Sequence, residues 1–334
     1  MKNEECCPPK ANLHDMTDSK ERKRGGMTTL SDLSLVVLNY QCEADTLFCV
    51  ERLLSFGSDF HIIVVDNQSP DGSYERLKAQ LGGRPCVDVL QSERNGGYSY
   101  GNNYGMRYAI EHYGSTVLGI LNPDVIIPRL DVLSVMKERL ESDPTFAVIG
   151  GACITSYGTY NPNLFGWSIP TGRELLRQHF CIRGVSNRNT LVGEFDMIGE
   201  SIARIGCIHG CYYLMKTSVM QEIGFLDERV FMYHEENILG IRIQRAGYKE
   251  VLALDQFYVH NHKKVVHRRM PFKKKLASSK ATYESLKYLL RTYYSPTLLP
   301  PLWCVEMLNR LYLACAWVAN LFLKERELKP QNGE

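Results

Sequence analysis

The chain is missing the marks of several protein classes. Its 11 cysteines include no C-x-x-C pair, and their number is odd. Most stand inside apolar runs, the pattern of reduced, buried thiols in a cytosolic protein rather than of a disulfide framework. Charge of one sign is also missing: 39 Lys and Arg face 37 Asp and Glu, a balance that does not ask for nucleic acid. Residues 1–29 hold no apolar run of about seven residues, so no signal-peptide core is expected there. That stretch is polar, broken by Pro8, Pro9, Gly25 and Gly26, and reads as a disordered tail. The one long apolar run, Leu302 to Leu323, is interrupted by Glu306, Asn309 and Arg310. A bilayer span needs about 20 mainly apolar residues, so a packed or surface-lying helix is expected instead. Glycine is missing where nucleotide folds use it. The link after the first strand signal, Asn39-Tyr-Gln-Cys-Glu-Ala44, has none. That excludes a G-x-G-x-x-G dinucleotide site and disfavours a sugar-nucleotide pyrophosphorylase, and no P-loop motif occurs anywhere.

What is present is ordinary globular material. The 334 residues are 44% hydrophobic and 23% charged, which excludes a disordered or collagen-like chain. At about 150 residues per domain the length suggests two domains. Leu33–Leu38, Phe60–Val65, Val87–Leu90 and Thr116–Leu121 read as strands. Thr46–Phe56, Ser73–Leu81, Asn102–Tyr113 and Arg129–Leu140 read as the helices between and after them. Strand and helix alternating at this spacing predict right-handed βαβ units and a mostly parallel sheet. Ligands of such sheets bind outside the carboxyl ends of the strands. Polar clusters stand at three of those ends: Asn39-Tyr40, Asp66-Asn67 and Asn122-Pro-Asp124. Each alone is compatible with ordinary turn chemistry, and the three together point to a shared site. The run Asn95 to Gly105, with Asn95, Gly97 and Asn103, reads either as a phosphate cradle or as a flexible loop. Ile238 to Ala246 reads as a helix closed by Gly247, with Glu235 and Glu236 in or beside its first turn. The helix dipole there should keep a carboxylate ionised, by roughly 0.3–1 kcal/mol.

Several of these pieces carry a resemblance. Val37-Leu-Asn-Tyr40, Val65-Asp-Asn-Gln-Ser-Pro-Asp-Gly-Ser73, Asn95-Gly-Gly-Tyr-Ser-Tyr-Gly-Asn-Asn-Tyr-Gly105 and Leu121-Asn-Pro-Asp-Val125 resemble the family 2 glycosyltransferases. So do Gly210 to Lys216, Ile223 to Asp227 and Phe231-Met-Tyr-His-Glu-Glu236. The Asn-Pro-Asp form resembles the rhamnosyltransferase-like branch. The resemblance, over roughly residues 33–262, implies an α/β GT-A fold, a nucleotide-sugar donor, Mg²⁺ or Mn²⁺, and inversion at the anomeric carbon. By this resemblance Asp66 matches the acid that holds the pyrimidine base. Asp124 matches the last acid of the D-x-D-like motif, which binds metal and donor phosphates, with Asn122 in place of the first. Glu235-Glu236 match the family's Glu-Asp pair, so Glu236 stands where the general base is expected, one methylene longer. Ile238 replaces a further family acid. His260 or His262 matches a late histidine that completes a metal shell in such enzymes. The donor set is then Asn39, Asp66, Asn67, Asn95, Gly97, Asn103, Asn122 and Asp124, with Asp124, His260 and His262 at the metal.

The implied partition is a tail over 1–29, a nucleotide-sugar-binding part over 30–150, an acceptor-side catalytic part over 151–262, and a basic segment with helices over 263–334. The implied reaction moves a sugar, first rhamnose from dTDP-rhamnose, onto a glycan or lipid-linked glycan acceptor in cell-surface polysaccharide synthesis. A UDP-hexose or UDP-GlcNAc transferase and a catalytically inactive sugar-nucleotide-binding homologue are the alternatives. Residues 263–275 hold seven Lys or Arg and no acid. They read either as a solvated loop or as a segment drawn to an anionic bilayer. The helices after them are expected to lie on that surface, to pack, or to make a homodimer. The expected location is cytoplasmic, at the inner face of the cell membrane, with no nucleic-acid partner.

Overall fold

The apolar runs found above become the strands of one large sheet. A computed structural model describes residues 29–57, 59–155, 165–180, 196–261 and 272–327. In chain order the first half runs β1 (Leu33–Asn39), α1 (Glu43–Leu54), β2 (His61–Asp66), α2 (Ser73–Leu81), β3 (Val87–Gln91), α3 (Tyr98–Tyr113), β4 (Val117–Leu121), β5 (Val125–Ile126), α4 (Leu130–Ser142) and β6 (Phe146–Thr155). There follow β7 (Gly166–Trp167), α5 (Gly172–His179), β8 (Asp196–Met197), β9 (Ile202–Ile205), β10 (Cys207–Ile208), β11 (Tyr212–Lys216), α6 (Thr217–Ile223), α7 (Glu235–Arg245) and β12 (Lys249–His260). Two long helices close the described chain, α8 (Phe272–Tyr293) and α9 (Leu299–Glu327).

The chain divides into two compact units. The first comprises residues 1–169, 191–231 and 235–265. Its ten-stranded sheet has the order β3-β2-β1-β4-β11-β6-β12-β9-β8, with β5 added against β12. β1 pairs in parallel with both β2 and β4, and β2 with β3. β11 is antiparallel to β4 and β6, while β12 returns parallel to β6. A single sheet therefore runs through both 30–150 and 151–262. Its central strands are buried on both faces, as expected where helices cover a parallel sheet: Leu35, Val36, Val37, Ile63, Val64 and Val65 have no exposed surface.

α3 differs from its expected form. The sequence predicts a helix only from Asn102, after a Gly- and Asn-rich loop, yet the helix begins at Tyr98. Packing decides the matter. A Cβ on Gly101 would stand 2.4 Å from the Leu38 side chain, and one on Gly105 2.7 Å from Val36. The glycines let the helix lie directly on β1 and β2, and that burial outweighs their helix penalty of roughly 1 kcal/mol each. The turn belongs instead to Gly97, whose φ of +89° admits glycine easily and other residues poorly.

The second unit comprises residues 170–190, 232–234 and 266–334. α5 begins with a capping box, Thr171 and Glu174 satisfying each other's backbone N–H groups. His179 Nε2 lies 3.1 Å from Glu306 of α9, and Asn309 Nδ2 donates to the His179 carbonyl at 2.6 Å. Ser285 of α8 donates to the Met232 carbonyl at 2.7 Å, tying the short piece 232–234 to the helices. Among the described residues no helix is long and apolar enough to cross a membrane. His262 and the basic stretch through residue 271 lie outside the described residues.

Candidate active site

Three of the expected polar clusters sit at the carboxyl ends of β1, β2 and β4. Asn39 ends β1 and donates its amide to Asp66 Oδ2 at 2.7 Å, while its own Oδ1 accepts from Thr46 at 2.9 Å. Asp66 ends β2 with no exposed surface. Its second oxygen accepts the Ser69 N–H at 2.9 Å, and Ser73 Oγ lies 3.3 Å from the first. The pair thus locks two strand ends together. Asn67 donates to Asn95 Oδ1 at 3.2 Å and to the Gly97 carbonyl at 3.0 Å. That joins the β2 end to the turn before α3. Asn103 faces elsewhere: its amide donates to the Leu226 carbonyl and to Glu228, each at 2.8 Å, and its oxygen accepts the Leu226 N–H. Every polar atom of Asn103 is therefore committed to the 226–228 loop.

Asn122 and Asp124 follow β4. The Asn122 N–H donates to the Cys211 carbonyl at 2.8 Å, and the Asn261 N–H to the Asp124 carbonyl at 2.7 Å. The short β5 pairs Val125 with His260, bringing the end of β12 alongside. Asp124 Oδ2 then stands 3.3 Å from His260 Nε2. Burial works against charge on His260, but the adjacent Asp124 carboxylate outweighs it and the pKa is pushed up to about 9. Asp124 keeps 29% of its side chain exposed, open to a ligand.

Glu235 and Glu236 open α7, as the sequence suggests, but burial there opposes the ionisation that the helix dipole is expected to favour. Burial raises both carboxyls above the usual range, and for Glu235 the neighbouring Glu236 adds to it. Glu235 Oε2 is shut off from water and has no hydrogen-bond partner. Desolvation costs more here than the helix N-terminus returns. Glu236 lies against Gly210, where an added Cβ would stand 2.9 Å from its Oε1, so the position admits only glycine without movement.

The segment from Cys207 to Cys211 joins these groups. His209 stacks edge-on to His260 with ring centroids 5.9 Å apart. Its neighbour Gly210 touches Glu236 and accepts a hydrogen bond from the Tyr98 hydroxyl. The Asp124–His260 pair and the Glu235–Glu236 pair are thus linked through two consecutive residues. His209, Tyr98, Trp167 and Asn237 belong to this region; the sequence marks 207–211 as a strand and turn near the site, without zinc-ligand spacing, and does not mark Trp167 or Asn237. Trp167 Nε1 donates to Asn237 Oδ1 at 2.9 Å, and neither residue forms part of any pattern in the sequence.

A divalent cation suits this donor set. Among the described residues no group of three or more His, Cys, Asp and Glu could hold a metal alone. Mg²⁺, however, is commonly held by one or two protein groups together with substrate phosphates. One half-open carboxylate fits that mode, and His260 joins it only on giving up the proton that Asp124 favours there.

The architecture is GT-A: a central, mostly parallel sheet flanked by helices, followed by a helical region. The sequence model of Glycosyl transferase family 2 matches residues 34–199, just under half of the chain, so the glycosyltransferase class is carried by that segment. A relative is the low-salt glycan biosynthesis hexosyltransferase Agl10 of Haloferax volcanii, 26% identical over 218 residues. The match takes in 65% of this chain and spans 63% of that relative's length. Among solved structures, GalNAc-T7 with UDP, GalNAc and Mn²⁺ superposes with a TM-score of 0.55 at 13% identity, over 79% of this chain and 48% of that one. The mannosyltransferase PcManGT of Pyrobaculum calidifontis, in complex with GDP-Man and Mn²⁺, gives 0.49 at 14% identity over 90% and 84% of the two chains.

Proposed function

We propose that this protein is an inverting hexosyltransferase that uses a pyrimidine-diphosphate sugar, with dTDP-rhamnose first and UDP-sugars next. One observation supports this best: consecutive residues His209 and Gly210 touch the Asp124–His260 pair on one side and Glu236 on the other. A half-open carboxylate suits a cation and diphosphate, and a half-buried carboxyl with raised proton affinity suits a base. In the reaction Glu236 takes the acceptor hydroxyl proton. The freed oxygen bonds to the anomeric carbon as the bond from that carbon to the diphosphate oxygen breaks, and the configuration inverts. Asp124 and His260 would hold Mg²⁺ or Mn²⁺, which supplies charge for the leaving diphosphate. The ends of β1 and β2, fixed by Asn39, Asp66 and Asn67, offer the surface for the nucleoside. No covalent nucleophile is needed. The acceptor is a glycan, lipid-linked in the reading that suits the exposed apolar residues of the C-terminal helices.

The test begins with binding. UDP or dTDP with Mn²⁺ should raise the melting temperature, since ligand at 100 times its Kd stabilises by roughly 2.7 kcal/mol. Asp124→Ala should remove the metal-dependent part. Transfer from dTDP-rhamnose and UDP-sugars, followed by NMR of the product's anomeric signal, then reads donor and stereochemistry. Nucleotide binding that ignores both chelator and Asp124→Ala would defeat the reading, as would a retained anomeric configuration.

A further inference from the structure

The indole of Trp167 occupies a position that the reaction so far leaves without a role. It ends the two-residue strand β7, which pairs Trp167 with Cys207 and Gly166 with Ile208. Its carbonyl accepts the Gly206 N–H at 3.1 Å, so its backbone is fixed along the segment that carries His209 and Gly210. Its ring nitrogen is held by Asn237, the residue after Glu236. Its ring meets His209 edge-on, centroids 6.4 Å apart, and His209 in turn meets His260. Trp167 and His209 are both half-buried rather than closed into the core. An aromatic wall therefore runs from the residue beside Glu236 to the residue beside Asp124.

Large aromatic rings bury their indole N–H against a partner and leave the ring to pack on apolar surface. A pyranose offers such a surface: one face of its ring carries axial C–H groups, while its hydroxyls point outward. Ligand sites typically combine aromatic walls with a few placed polar groups. Resting on the function proposed above, we propose that Trp167, with His209 beside it, forms the subsite that seats the acceptor's terminal pyranose against Glu236. The anchor through Asn237 favours the acceptor over the donor sugar. Whatever packs on Trp167 is placed by the helix that carries the base, and the base must reach an acceptor hydroxyl. The N–H bond to Asn237 ties the ring to the helix that carries Glu236, and the ring face makes the contact.

The experiment uses the full chain with Trp303 and Trp317 replaced by Phe, leaving Trp167 as the only tryptophan. Methyl α-L-rhamnoside, methyl α-D-mannoside and methyl α-D-glucoside serve as probes, added with UDP and Mn²⁺ present. At least one should change the Trp167 emission and show saturation transfer by NMR. Trp167→Leu should weaken that binding about tenfold, the size of one well-packed aromatic contact. Trp167→Phe, which keeps a ring but not the N–H, should recover most of it. UDP affinity should be the same in all variants. Equal binding of every probe to wild type and Trp167→Leu overturns the proposal, as does no probe binding at all to UDP-loaded enzyme. A Phe variant as weak as the Leu variant also overturns it, because the N–H bond rather than the ring face would then matter. A loss confined to the margin by which UDP-glucose binds more tightly than UDP overturns the acceptor assignment and gives the wall to the donor sugar. Failure of UDP to bind while glycosides still depend on Trp167 sinks the donor reading and leaves the subsite standing.

Discussion

At the scale of single residues, burial sets the chemistry more than sequence position does. Glu236→Gln keeps the size of the side chain but cannot take a proton, and should lower kcat by about 10²–10⁴ while nucleotide binding survives. Because burial raises the Glu236 pKa, the acid limb of kcat against pH should have its midpoint above 4.5, the ordinary value, with activity rising as the base deprotonates. Glu235→Gln serves as the control, and an acid limb that persists unchanged in Glu236→Gln would move the base elsewhere. Glu250 on β12 shows the same physics. It is 2% exposed, with only a backbone contact to Ile208 to favour its charge. Burial holds its pKa well above 4.5, with Glu236 adding to the effect. Below 4.5 the folded and unfolded chains both hold the proton, so there is no penalty. As pH rises above that, the unfolded chain releases it and the folded chain does not, and stability falls by about 1.4 kcal/mol per pH unit until the folded pKa is reached. Glu250→Gln should therefore stabilise the protein more at pH 8 than at pH 5, read by urea unfolding. The opposite order would mean that the group is ionised in place.

At the scale of elements, α3 shows both what could be read and what could not. Strand and helix alternation gave β1 to β4 and α2 within a residue or so, because period and turn chemistry are local signals. The start of α3 was not local: its glycines serve contacts with Leu38, Val36 and Val65, residues ~35–70 positions away in the chain. Asn103 follows the same logic. It stands in a Gly/Asn run that suggests a phosphate loop, yet its partners are Leu226 and Glu228, more than a hundred residues on. The strand-end clusters and the Glu235–Glu236 pair were legible because each is a short motif at a predictable boundary. Trp167 and Asn237 were not, since only the fold brings them together. Asn103→Ala should cost about 1–3 kcal/mol, the penalty of leaving the Leu226 groups buried and unpaired. Chemical denaturation measures it, and a loss of nucleotide binding without loss of stability would return Asn103 to the donor site.

At the scale of the whole molecule, α9 carries an exposed apolar row. Trp303, Met307 and Leu311 recur four residues apart and are 58%, 47% and 62% exposed, with Leu308 and Trp317 exposed nearby. A helix of this kind, in a chain with a strongly basic segment before α8, suits an anionic bilayer. Sedimentation with phosphatidylserine vesicles should carry the protein down at low salt and less so at high salt. Reversing the charge of Lys273, Lys274 and Lys275, or replacing Trp303 and Leu311 with Ser, should each reduce it. No vesicle binding, together with a dimer that Leu311→Ser dissociates, would assign the row to a second copy instead. The way the second unit is assembled has a practical corollary for anyone trimming this chain. Its pieces come from three places in the sequence, and the family match ends at residue 199, inside the stretch that separates them. A truncation at residue 265, chosen as if the C-terminal helices were a detachable appendage, would leave α5 behind without Leu298, Glu306 and Asn309, the residues that cover Gly172 and His179. Such a product should expose the apolar side of α5 and be prone to aggregation, so a cut at the last strand separates residues that fold as one unit.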